Sequence, residues 1–86
     1  MPIEKVPQPE NENEIIREEI KKLRIGIGTT ITSKSGTKRV VKSISYEDEY
    51  FLVRTHKEDK SFDEEVPFKA FYDAYKGGTI ASITHL

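Results

Sequence analysis

From Thr29 to Val66, short runs rich in Thr, Ile, Val, Tyr and Phe are separated by clusters of turn formers: residues 34–37 around Gly36, Glu47-Asp48-Glu49, and the charged stretch 57–60. β-branched and aromatic residues favour strands, whereas clusters of Gly, Ser, Asn and Asp favour turns. Connections this short join antiparallel neighbours, because a parallel crossover needs about a dozen residues. The segment therefore predicts a four-strand meander over 29–33, 38–46, 50–56 and 61–66, with Gly36 free to adopt a positive φ in the first turn. In the second strand Val40, Val41 and Ile44 break the two-residue period. A bulge near Val41 brings Val41 and Ile44 onto one face.

Helical spacing flanks the meander. Ile16, Ile20 and Leu23 form one apolar stripe on a short helix. Asn11 or Asn13 is placed to cap it, Asn11 with Glu14 makes a capping-box pair, and Gly26 is placed to end it. After the fourth strand, Pro67 suits the first turn of a second helix, on which Phe68, Phe71, Tyr72 and Tyr75 form an aromatic face before Gly77-Gly78. Ile80 and Ile83 mark a last short strand or turn. Residues 1–12 hold three prolines and three glutamates and predict a disordered arm. Residues 13–86 then form a single α+β domain with an N-terminal helix, a strongly bent antiparallel sheet of four to five strands, SH3-like, and one helix near the C-terminus.

Composition narrows the function classes. With no cysteine, a disulfide framework and a Cys-based zinc site are both excluded. No cofactor-binding motif is present: Gly26-Ile27-Gly28 lacks the preceding strand and the further residues of a phosphate loop. The first residues lack the apolar core of a signal peptide, and no apolar run approaches the ~18 residues of a membrane span, so a cytoplasmic protein without membrane contact is expected.

The strongest candidate site is the hairpin TTITSKSGTKRVVKSI. Lys34, Lys38, Arg39 and Lys42 stand there without an acidic residue, Ser35 adds a hydroxyl at the turn, and Arg54 on the next strand extends the patch. Cations beside small hydroxyl residues are what nucleic-acid phosphate contacts need. The competing use is structural, since lysines on hairpin edges discourage stray pairing. Fourteen basic against fifteen acidic residues, a net charge of -1, restrict any basic surface to a local patch.

Other motifs carry less. Glu58-Asp59-Lys60 with Asp48 upstream has the spacing of a PD-(D/E)xK nuclease centre, but it falls in a loop and an acidic turn. His56 and His85 have no companions for a metal site. Thr84-His85-Leu86 fits a PDZ-ligand tail only by a three-residue pattern. The chain therefore reads as a small non-enzymatic binding module that contacts nucleic-acid phosphates through the basic hairpin. The alternative is a protein-interaction or homodimerisation module using the N-terminal helix or a sheet edge.

The runs TITSKSGTKRVVKSI, FLVRT and EVPFKAFYDAYKGG resemble a small β-barrel-like domain of uncharacterised bacterial proteins, found free-standing or beside restriction- and HNH-type nucleases. The matching positions include Ser35-Gly36 at the turn, Val41 and Ile44, Val53-Arg54, Val66-Pro67, and Phe71 with Tyr75. The resemblance spans about residues 28–80. It implies the fold, and a nucleic-acid role by association.

Overall fold

A computed structural model of the chain describes the backbone from residue 9 and the side chains from residue 12. The element order is α1 (Pro9–Lys22), β1 (Thr30–Ser33), β2 (Lys38–Ser45), β3 (Tyr50–Lys57), β4 (Lys60–Pro67), α2 (Phe68–Gly77) and β5 (Ile80–Thr84). α1 begins at Pro9, before either asparagine expected to cap it; a missing N–H does no harm in a first turn. Residues 1–8 of the expected arm, and the side chain of Asn11, lie outside the described residues. The apolar stripe docks as expected, with Ile16 and Ile20 fully buried and Leu23 packed at the margin. α1 ends earlier than Gly26. Arg24, at φ 58°, takes the left-handed conformation instead, and the Gly26 N–H donates to Thr29 Oγ1 at 3.0 Å.

The five strands form one antiparallel sheet in the order β4-β3-β2-β1-β5. It is not closed, and among the described residues β4 and β5 are its unpaired edges. In β2 the pairing shifts between Val41, opposite Val53, and Ser43, opposite Leu52. Lys42 is the extra residue. Val41 and Ile44 consequently share the core face, as the broken period predicts. The second irregularity, between Thr32 and Ser33, lies where β1 meets β5.

Both helices contribute to the core on one face of the sheet. Phe51, Val53 and Val41 meet Phe68 and Phe71 of α2, with Ile16, Ile20, Ile25 and Ile31 completing the cluster. The aromatic face of α2 is thus core, and Phe51 lies 4.8 Å from Phe68 and 5.6 Å from Phe71 between ring centres. Pro67 is not in the first turn of α2. It is extended at φ -61° and ψ 147°, pairs with Tyr50 as the last residue of β4, and immediately precedes the helix. Gly78 ends α2 at φ 82°, its N–H reaching back to the helix carbonyls. The turn between β2 and β3 is tied to both helices: Glu49 pairs with Arg17 of α1, and its carbonyl accepts the Phe68 N–H at 2.8 Å.

Candidate binding groove

The cations of the basic hairpin are divided between the two faces of the sheet. Arg54 stands opposite Val40 and Asp63 on the outer face. There Asp63 receives Arg54 Nη1 at 3.1 Å and Lys42 Nζ at 3.3 Å. Both cations beside it, Arg54 foremost, hold the Asp63 carboxyl below its ordinary value. Arg39 lies on the core-facing side, where its Nε donates to Glu64 Oε2 at 3.1 Å. Lys34 sits where α2 ends, its Nζ 3.9 Å from the place a Cβ on Gly78 would occupy, and a cation is favoured beside the carbonyl end of a helix. Only Lys38 and Lys34 among the six residues singled out are cations without an ion pair among the described residues. Ser35 is also engaged: its Oγ lies 2.8 Å from Ser33 Oγ, which accepts the Thr37 N–H at 3.1 Å, so the hydroxyls brace the turn.

The partners were hidden in the fourth strand. FDEEV placed antiparallel to YFLVRT sets Asp63 opposite Arg54 and Glu64 opposite Val53, on opposite faces. The acidic residues of β4 therefore answer both sets of cations.

On the core side, α2 and the sheet do not close on each other everywhere. A groove of about 410 Å³ runs between them. Phe51, Val53, Val66, Phe71 and Ile80 give it apolar walls. Ala70 and Ala74, one turn apart on α2, also line it, and their small side chains keep it open. Both free edges of the sheet border it, β4 through residues 64–67 and β5 through Ile80.

The ion pair of the groove is Arg39 with Glu64, and Ser33, Glu65 and Thr79 add further polar groups to its lining. Thr55, 1% exposed, donates its hydroxyl to Glu64 Oε2 at 2.5 Å, beside the Arg39 contact. These donors, Thr55 first, hold the Glu64 carboxyl below its ordinary value. A carboxylate so held stays ionised and is a weak proton acceptor, which suits it to orienting Arg39 more than to acid–base chemistry.

The remaining motifs separate in space. Asp48 occupies the turn before β3, where its backbone N–H and its carboxylate both bond Ser45 Oγ, while Glu58-Asp59-Lys60 follows β3 at its far end. A strand of eight residues lies between them, about 23 Å at ~3.3 Å per residue, so no nuclease-like centre forms from these residues. His56 meets Ser61 at 2.8 Å, and His85 Nε2–H donates to the Leu23 carbonyl at 2.7 Å. The Ile16/Ile20 stripe is consumed by the chain's own core. Among the described residues, no helix is long and apolar enough to cross a membrane.

No protein-family model matches this chain, and neither does any curated protein or solved structure.

Proposed function

We propose that this chain is a non-enzymatic binding module whose groove seats an apolar side chain of an extended protein segment. The observation that carries the reading is the groove itself: an apolar pocket of about 410 Å³, bordered by two strand edges that are unpaired among the described residues, with an oriented Arg39–Glu64 pair. Apolar side chains gain from leaving water there, and strand edges offer main-chain hydrogen bonds to an extended ligand. The remaining N–H groups of Arg39 supply donors for a ligand carbonyl. We read the open, bulged sheet around this groove as SH3-like in plan.

The test is an amide-resolved NMR titration of the ¹⁵N-labelled chain with a panel of short peptides bearing Leu, Phe or Tyr. Shifts should concentrate on residues 64–66, Ala70, Ala74 and Ile80, and Ala74→Phe or Ala70→Phe should abolish them. Shifts scattered over the surface, or unaltered in both filled variants, would discard the groove.

A second reading, contact with nucleic-acid phosphates, is supported by Lys34 and Lys38, which have no ion pair among the described residues. Arg39, Lys42 and Arg54 would first have to leave their carboxylates. A titration against short duplex and single-stranded DNA at about 50 mM salt decides it, because phosphate contacts are strongest at low salt. Absence of binding there ends this reading, and binding unaffected by Lys34→Ala with Lys38→Ala removes the hairpin from it.

A further inference from the structure

The far end of the β3–β4 hairpin carries two lysines without an ion pair among the described residues. Lys57 stands directly opposite Lys60 across the turn Glu58-Asp59. Alternation along the strands puts Lys57 on the inner face with Thr55, and Lys60 there with Phe62, which faces Thr55. Both lysines are exposed, and like charges opposite each other on one face of a sheet are unfavourable. Phe62, between them and the groove, is 43% exposed although it lies on the core-facing side.

The acids of β4 are committed or distant. Glu64 accepts from Thr55 and Arg39, and with them the charge of Lys57 helps to hold its carboxyl below its ordinary value. Asp63, on the outer face, holds Arg54 and Lys42. Glu65 borders the groove, but five residues along β4 from Lys60, about 17 Å at ~3.3 Å per residue. The inner ledge beyond the groove is therefore basic, with an apolar ring beside it.

We infer, on the footing that the groove seats an apolar side chain of an extended segment, that this segment is acidic and sets a carboxylate between Lys57 and Lys60. Charge complementarity selects such a partner: a neutral or basic segment would leave two opposed ammonium groups unrelieved. From Glu64 and Val66 at the groove to Lys60 is four to six residues of β4, about 13–20 Å at ~3.3 Å per residue. Alternate side chains of an extended ligand share a face, so the carboxylate falls four or six residues from the apolar anchor. The ligand side chain between them passes over the exposed ring of Phe62.

Three peptides with a single Phe anchor test it, carrying Asp, Asn or Lys at the fourth and sixth positions on each side of the anchor. Titrated into the ¹⁵N-labelled full chain at about 50 mM salt, the Asp peptide should bind at least about threefold tighter than the Asn peptide, and the Lys peptide most weakly. Its shifts should cover residues 57–62 as well as 64–66. Lys57→Ala/Lys60→Ala, checked for folding by its melting temperature, should erase the Asp advantage and leave the Asn peptide's affinity unchanged. Lys57→Glu/Lys60→Glu should invert the order, and Ala70→Phe should abolish binding of all three peptides. Equal affinities that Ala70→Phe abolishes overturn the acidic partner and leave the groove reading standing, whereas no binding by any peptide ends both. An Asp advantage that survives Lys57→Ala/Lys60→Ala also overturns it. So does tighter binding of a short single-stranded DNA through the same lysines, or self-association of the chain that the double variant abolishes.

Discussion

Strands β2, β3 and β4 present two faces built from adjacent residues, and each face carries its own ion pairs. On the inner face Val41, Phe51 and Val53 are buried, and the Arg39–Glu64 pair leans over the fully buried Thr55. On the outer face Lys42, Arg54 and Asp63 form a three-membered cluster in contact with water. The sequence supplies both clusters with the same kinds of residue. Their surroundings set what each does. Water screens the outer cluster and replaces its hydrogen bonds, whereas the inner one satisfies a hydroxyl that has no access to solvent.

The largest contrast concerns packing. Phe51→Ala should cost about 3–5 kcal/mol in chemical denaturation, because it opens a cavity where two other phenylalanines meet. Leu52→Ala, one residue along on the other face, should cost less than half as much. Similar losses at the two positions would mean that the outer face is covered too.

Next comes the buried hydroxyl. Glu64→Ala removes the acceptor of Thr55 and should cost about 1–3 kcal/mol. The double variant Glu64→Ala/Thr55→Val should recover part of that loss, since the orphaned hydroxyl is then gone. Asp63→Ala should leave the denaturation midpoint unchanged within error. An equal loss from Asp63→Ala would erase the distinction between the faces.

Acid should expose the same difference. The folded protein holds Glu64 below its ordinary value, so its contribution is complete above the unfolded glutamate pKa of about 4.3 and is lost as pH falls through the folded one. Melting temperatures followed downward from pH 6 should therefore fall less steeply in Glu64→Gln than in the parent chain. Identical slopes would detach Glu64 from acid stability. The smallest effect belongs to Lys38→Ala, on an exposed cation with no ion pair among the described residues, for which thermal melting should show no change.

The arrangement of elements was readable because its signals are local. Turn residues, the broken period at Val41 and the aromatic spacing on α2 each involve neighbours a few positions apart. Pro67 misled for the same reason. Its fixed φ suits both a helix start and an extended residue, and only pairing with Tyr50 across the sheet distinguishes them. The basic hairpin looked unopposed because its acidic partners are remote, Arg39 and Glu64 being 25 residues apart. Charge counting along a window does not register a carboxylate delivered by strand pairing. The groove had no sequence signal at all, since it arises where Ala70 and Ala74 fall short of strands brought there from elsewhere in the chain.

The bulge in β2 carries a consequence for how this chain tolerates changes in length. Removing one residue from a strand ordinarily turns every later side chain to the wrong face. Lys42 is different. Without it, Val41, Ser43 and Ile44 alternate in, out and in, opposite the same partners they have now. A lineage could drop this lysine and keep the pairing of β2 with β3 intact, surrendering the Asp63 contact and the local bend that the additional residue imposes. In β2, indel tolerance and sheet curvature are thus controlled from one position.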